Sequence, residues 1–492
     1  MKKDIRRLIC YSFVSLFILV ISCILLVDKI GILNFLAVFT GLIAVVLICI
    51  FVLKDVSLAV VFIVISLPFQ AFYVWIGFSI LPVRIVFILT LIIYILQCLK
   101  IGRFSFKSAG FMKYFVILLI VYLLSSMFAI NIPRSLKATG TQLFDITFFI
   151  FIISILENSF QIDRVIKTSI IIGSLVAFFG IIQQIAFLSG IDLSLGFLEF
   201  LPRHPRVHGA GLMELHDVTN VIRTKSTFTE PNIFAGYLTS IIFYPLSLCI
   251  YYYQKRKKRK FYLFSTISIL FVLTLISTLS RSAFIGFLLG FVILIYCWKD
   301  YVFKLRLWIK LLIITFIFIQ VILICFPKII TMFEAFIKSY DLSELSASTA
   351  SANLHAFLAQ IAIEMFSKNP IVGVGYGNYG EYFSQHYLWH GVTNPYMMAH
   401  SAYLSFFAET GLLGGIINLT IIFLILRSGF NLINGMKNKN SYWWCLSIAM
   451  VCSVVGVLGA NIFYQYYLVE FVWFSFALLI AGTSLLKREF NI

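Results

Sequence analysis

The stretch Asn394-Pro-Tyr-Met-Met-Ala-His400-Ser-Ala-Tyr-Leu-Ser-Phe-Phe-Ala-Glu409-Thr-Gly-Leu-Leu-Gly-Gly415 closes the longest polar interval of a chain that is otherwise mostly lipid-soluble. Asn-Pro at 394–395 argues for a turn. A short helical pattern opens at the histidine, a Thr-Gly pair ends it, and an apolar run follows to Leu426. A polar surface segment thus hands the chain directly to a membrane span. His400 is expected in the first turn of a helix at the membrane surface. The partial positive charge of a helix N-terminus disfavours imidazolium, so the ring would stay neutral and able to accept a proton. A general base needs that. The plainer reading of the same stretch is an interfacial histidine that caps or packs.

Outward from this stretch the chain is 492 residues, 61% hydrophobic and 12% charged, with a mean hydropathy of +1.02. Apolar runs of about 20 residues recur from end to end, which a soluble core would not require. The expected fold is an all-α polytopic membrane protein with about 12–14 transmembrane helices and two long extracytoplasmic loops. Met-Lys-Lys-Asp-Ile-Arg-Arg precedes the first apolar segment without a clear small-x-small cleavage site, so it reads as an uncleaved span. The nine cysteines fall in apolar spans or at their edges, giving neither a disulfide framework nor a thiol metal site.

Apolar segments run approximately over 8–27, 31–53, 56–75, 81–99, 112–130, 141–156, 165–189, 232–252, 261–279, 282–298, 308–326, 411–427, 443–460 and 466–486. Threaded from an inside N-terminus, they put the basic clusters on one side: Lys100/Arg103/Lys107/Lys113, the block 255–260, Lys299/Lys304/Arg306/Lys310, Arg427/Lys437/Lys439 and Lys487-Arg488. The net charge of +18 is therefore a topology signal, not a nucleic-acid footprint. Three regions follow: N-terminal membrane helices 1–189, a catalytic region 190–427 with outer loops 190–231 and 327–410, and C-terminal membrane helices 428–492. All seven histidines and eleven of the twenty carboxylates lie in the two outer intervals. Inside the spans the charges are few, chiefly Asp145 and Glu470. A proton-coupled pump would place ionisable groups near the midplane; this chain places them at the rim.

Arg223-Thr-Lys225-Ser-Thr-Phe-Thr-Glu230-Pro-Asn232 leads into a span, and helix N-termini beside guanidinium groups favour phosphate oxygens. The alternative is a basic loop touching lipid head groups. Ser277-Thr-Leu-Ser280-Arg281-Ser282 lies between two spans with almost no room for a loop. Arg281 is held at the outer boundary, where an unpaired guanidinium is expensive; it must pair, snorkel, or bind an anion. Arg203, Arg206 and Lys225 could extend the same positive patch. Gly375-Tyr-Gly377-Asn-Tyr-Gly380 fits a dinucleotide fingerprint but lacks its βαβ context, so its glycines read as turns against the membrane surface. His204/His208 and His386/His390 have zinc-compatible spacing. Pro205 interrupts the first pair, and no third ligand lies near the second.

Together, three stretches resemble the O-antigen ligase and polymerase superfamily of bacterial envelope proteins. They are Arg223-x-x-x-Thr-Phe-x-x-Pro-Asn-x-x-Ala; Thr278-Leu-Ser-Arg281-Ser-Ala; and Asn369-Pro-x-x-Gly-x-Gly-x-Gly-Asn378 leading to His400-Ser-x-x-Leu-x-x-x-x-Glu-x-Gly-Leu-x-Gly. Each piece is short; their order, outer placement and spacing make the joint match specific. It covers roughly residues 220–425. Ser226 departs from it, standing where the family commonly has glycine, and the span count exceeds the usual dozen or so.

The resemblance implies a metal-independent, inverting glycosyltransferase in the bacterial cytoplasmic (inner) membrane, acting on the extracytoplasmic face and needing no cofactor. It would move a glycan from undecaprenyl pyrophosphate to a sugar hydroxyl. Arg223 and Arg281 would bind the donor pyrophosphate and His400 would be the base, with Arg206, Lys225, Glu230, Asn232 and Glu409 as supporting candidates. Partners would be the lipid-linked glycan, a glycan acceptor, membrane lipid, and a chain-length regulator or flippase. A polymerase is the leading reading, and a ligase moving finished polymer onto lipid A, protein or cell wall is the alternative. A polysaccharide flippase or transporter is a third reading, from another class; polar residues along several spans would distinguish it.

Overall fold

A computed structural model of the chain describes residues 32–75, 79–102, 110–189, 214–216, 221–302, 347–387 and 398–491. The expected spans 8–27 and 308–326, together with Arg203, Arg206, His204, His208 and His390, lie outside the described residues. The helices are α1 (Ile32–Lys54), α2 (Leu58–Ser66), α3 (Pro82–Ile101), α4 (Met112–Met127), α5 (Ile132–Ile155), α6 (Ser159–Leu188), α7 (Pro231–Ile241) and α8 (Phe243–Gln254). They continue as α9 (Lys258–Ser277), α10 (Arg281–Val302), α11 (Ala347–Lys368), α12 (Tyr379–Tyr387), α13 (Ala402–Met436), α14 (Ser441–Ala460) and α15 (Glu470–Phe490). Two small antiparallel hairpins accompany them: β1 (Val74–Trp75) with β2 (Ser79–Ile80), and β3 (Glu214–His216) with β4 (Val221–Arg223).

Local signals set the helix ends. Asn131, Asn158 and Asn440 cap α5, α6 and α14 by accepting from backbone N–H groups of the first turn. Pro occupies the start of α3, α5 and α7, where its missing N–H has no partner to lose. Among the described residues, nine helices are long and apolar enough to cross a membrane, with α7 and α8 joined as one. The protein is a multi-pass membrane protein. Its outer surface is apolar: Ile85, Ile88, Ile92, Leu96 and Leu99 on α3 are 45–60% exposed. Their spacing of three and four residues makes one lipid-facing stripe, with Val83, Val86, Phe87, Thr90 and Ile93 on the buried side.

Among the described helices the most enclosed are α14, α15 and the joined α7–α8, whose membrane-length windows are 94%, 89% and 89% buried. α10 packs on α14 through small residues. A Cβ on Gly286 would stand 2.2 Å from the Gly456 carbonyl oxygen, and one on Gly290 would stand 2.7 Å from that of Cys452. Water drives no apolar association inside a bilayer, so such close backbone approach supplies the packing that holds two spans together.

The bundle has two distinct ends. At one, Arg488 donates to the Glu157 carbonyl (2.7 Å), Ser159 N–H to the Glu489 carboxylate (2.9 Å), and Lys260 lies 5.0 Å from the Tyr252 ring. Trp298 meets Trp444 there, bringing the Lys299 and Lys437–Lys439 regions to the same level. At the other end, Ala71 N–H bonds the Thr227 carbonyl, Asn131 N–H the Asn378 side chain, and Ala402 N–H the Asn461 carbonyl. Of the basic residues read from sequence, Lys260, Lys299, Lys437, Lys439 and Arg488 thus share one end.

Several expectations need correction. The span placed at 56–75 is instead the nine-residue α2, a 3-10 turn at Gln70–Phe72, and β1. At 1.5 Å per residue α2 is only about 13 Å long, too short to cross. Pro68 follows its end, and the Pro68 carbonyl accepts from Thr227 Oγ1. The last span begins at Glu470 rather than 466; residues 466–468 form a separate 3-10 turn, and Glu470 pairs with Arg84 at 2.6 Å. The interval 327–410 is also not a plain loop. It contains α11 and α12, whose Leu358, Ile361, Met365, Tyr379 and Phe383 build a second apolar cluster with Ala399 and Ala408.

Candidate functional site

Arg223 ends β4, and the next residue locks it to another segment: Thr224 N–H bonds the Ser277 carbonyl at 3.1 Å. The turn that follows needs a left-handed residue, and Ser226 takes φ +52° with its Oγ donating to the Val176 carbonyl (2.7 Å). Serine therefore adopts the backbone that glycine would. The chain enters α7 through Glu230 and Pro231. Arg223 Nη2 donates to Asn232 Oδ1 (2.6 Å) and its Nε to the Thr278 carbonyl (3.0 Å). Two directional bonds in one plane fix the guanidinium's orientation.

Residues 278–280 connect α9 to α10 in three residues because Leu279 is left-handed, at φ +51°. Thr278 Oγ1 donates to the Leu275 carbonyl (2.6 Å), and Arg281 is the first residue of α10. Ser282 Oγ shares a hydrogen bond with the Tyr466 hydroxyl (3.1 Å), which donates to the Asn232 carbonyl (2.9 Å). Buried Tyr466 thereby ties the Arg223 segment to the Arg281 segment. Burial pushes the Tyr466 phenol up to about 12, with Arg223 pulling it down and Glu230 pushing it up; both charges are within electrostatic reach.

His400 is the third left-handed residue of these turns, after Ser226 and Leu279, at φ +49°. It lies one residue before the helix cap, not in the first turn: Ser401 is the cap and α13 begins at Ala402. Its ring stands against His355 on α11, edge to face with centroids 4.6 Å apart, and 5.9 Å from the Tyr464 ring. Burial holds His400 below the usual histidine value. The direction matches the sequence reading, but desolvation is the cause. His355 is pushed down to about 4 by burial, then by His400, then by Arg281. A contact and an electrostatic coupling therefore run Arg281–His355–His400. A second path runs through Tyr464, whose hydroxyl donates to Glu230 Oε2 (2.6 Å) and whose ring lies 4.6 Å from Tyr466.

The other candidates have different places. The Lys225 carbonyl accepts from Phe228 N–H within the turn after Arg223. Buried Glu409 serves the glycine segment, its carboxylate accepting from Gly377 N–H and Tyr379 N–H at 3.0 Å each. Gly373 and Gly411 both have positive φ. A Cβ on Gly373 would stand 2.3 Å from the Glu409 backbone, and one on Gly411 2.3 Å from Ile371. These glycines let the 369–378 segment lie on the kink of α13. His386 stacks on Tyr382 at 4.1 Å, and among the described residues no cluster of three or more His, Cys, Asp or Glu could hold a metal.

Residues 266–419 match the family model described as O-antigen ligase. No curated protein matches the chain. The matched region contains Arg281, His355, His400 and Glu409, and the match supports a role in polysaccharide synthesis. Arg223, Glu230 and Asn232 precede it, and Tyr464 and Tyr466 follow it. Sequence reasoning missed His355, Tyr464 and Tyr466. His355 was visible only as one of seven outer histidines, and Tyr466 was assigned to a membrane span.

Proposed function

We propose that the protein is a polymerase-type glycosyltransferase that moves a glycan from an undecaprenyl-pyrophosphate donor to a sugar hydroxyl. The observation that carries this reading is the linkage, at the end opposite the basic clusters, of two arginine-bearing turns with a neutral histidine. Arg223 and Arg281 hold the diphosphate and offset the charge that grows on it as the anomeric bond breaks. His400 takes the proton of the acceptor hydroxyl while its oxygen attacks the anomeric carbon. The C1–O bond to the diphosphate breaks, and undecaprenyl pyrophosphate leaves with the bonding pair. One displacement inverts the anomeric centre. No metal is required, because two guanidinium groups supply the positive charge.

The basic end lies in the cytoplasm of a bacterial cell and the site lies on the extracytoplasmic side of the inner membrane, by the positive-inside rule. The description of the matched family favours a second reading, a ligase that passes finished polymer to a non-polymer acceptor. Purified protein with a synthetic undecaprenyl-pyrophosphate oligosaccharide separates the two. Products read by mass spectrometry should grow by whole repeat units on the lipid. Growth only on an added lipid A, protein or wall acceptor selects the ligase, and release of neither product rejects both.

A further inference from the structure

The loop between α14 and α15 is held rigidly at the same end of the bundle. Asn461 Oδ1 accepts from Tyr467 N–H (2.9 Å), Val469 N–H bonds the Tyr466 carbonyl (2.8 Å), and Trp473 Nε1 donates to the Tyr467 carbonyl (2.9 Å). Gln465 donates to Ser405 Oγ on α13. Ile462, Phe463 and Leu468 are exposed on this loop, 41%, 51% and 40%, as expected of a segment seated at a membrane boundary. From this frame half-buried Tyr464 presents its ring beside His400 and its hydroxyl to the exposed Glu230 carboxylate.

We infer that Tyr464 and Glu230 form a saccharide subsite that receives the acceptor sugar beside His400. The inference rests on the glycosyltransferase reading and adds to it where the acceptor binds. His400 must touch the acceptor hydroxyl, and its surroundings have two chemically different sides. His355 lies on the side within electrostatic reach of Arg281 and suits the diphosphate. On the Tyr464 side the exposed Glu230 carboxylate accepts hydrogen bonds from hydroxyl groups, and Arg223 is reached only beyond it, through Tyr466 and Asn232. A pyranose offers C–H faces to an aromatic ring and vicinal hydroxyls to a carboxylate. The Tyr464 ring and Glu230, joined at 2.6 Å, present both at once. Because the loop is fixed before ligand arrives, little ordering is needed on binding.

The test is steady-state kinetics of the purified full chain with a lipid-pyrophosphate donor and a separate oligosaccharide acceptor. Tyr464→Ala should raise the acceptor KM roughly tenfold or more and leave the donor KM within about twofold, since the lost ring and hydroxyl meet His400 and Glu230. Tyr464→Trp should keep most of the affinity, and Glu230→Gln should weaken it severalfold. An unchanged acceptor KM in Tyr464→Ala, or equal rises for donor and acceptor, overturns the subsite while leaving the transferase reading intact. A second measurement stands apart from turnover: saturation-transfer NMR with the repeat-unit oligosaccharide released by mild acid from the host's lipid-linked pool. Signal in the wild type that is lost in Tyr464→Ala supports the subsite even if the enzyme proves to run another reaction. Equal signal in both proteins, or none in either, rejects it.

Discussion

His400 sits in surroundings that resist its protonation, and most of the residue-scale expectations follow from that. Replacing it with alanine should lower turnover by about 10²–10⁴, the usual loss for a general base, while donor binding measured directly stays within a few-fold. The acid limb of the pH–rate profile should lie below the ordinary histidine value near 6.5, because burial lowers the pKa and the rate falls only when the ring finally protonates. His355 and His400 should also make stability fall with acid. Both take up protons less readily folded than unfolded, so the unfolded chain binds more protons as pH drops from 6.5 towards 4. Their contribution is complete above 6.5 and lost below it. Thermal midpoints in detergent should drop between pH 7.5 and 5, and His355→Phe should flatten that dependence. At Arg281, lysine should be a poor substitute and lower the rate at least roughly tenfold, because a point charge cannot replace a planar fork on a diphosphate.

Glu409 and the glycines test the elements. Glu409, a site candidate from sequence, accepts from two backbone N–H groups at the start of α12, which predicts a supporting role. Glu409→Ala should orphan both donors at about 1–3 kcal/mol each, seen as a lower unfolding temperature, with Glu409→Gln recovering part of the loss. If Glu409→Ala kept wild-type stability and lost turnover, the residue would belong to the chemistry instead. The α10–α14 seam makes a parallel case. A Cβ at Gly286 meets backbone rather than a movable side chain, so Gly286→Ala must separate the helices and should destabilise by about 1–3 kcal/mol.

At the scale of the whole molecule, the two ends of the bundle make opposite predictions for access. In a chain whose native cysteines are replaced, a cysteine at Lys258 should resist an impermeant thiol reagent in intact cells, and one at Gln385 should react. The reverse pattern would put the site in the cytoplasm and end the lipid-pyrophosphate reading. A chelator should leave turnover unchanged, since the proposed chemistry draws its positive charge from Arg223 and Arg281. Inhibition by EDTA that Zn²⁺ restores, with activity surviving His400→Ala, would move the chemistry elsewhere.

Much of this was legible in the sequence for a physical reason: lipid demands long apolar helices, Asn and Pro mark where they start, and basic residues gather on one side. These are local properties, and so are the three motif turns. Even the substitution at Ser226 was visible, though only the backbone shows that serine takes the left-handed angle a glycine would. What tertiary structure alone decided is which turns meet. Tyr466 reaches Ser282 across 184 positions and Tyr464 reaches Glu230 across 234, while His355 finds His400 through the packing of α11 on α13. Periodicity says which face of a helix is apolar, but in a bilayer nearly every face is. Partner choice falls instead to small residues that permit close approach and polar groups that must be satisfied, and neither declares its partner along the chain.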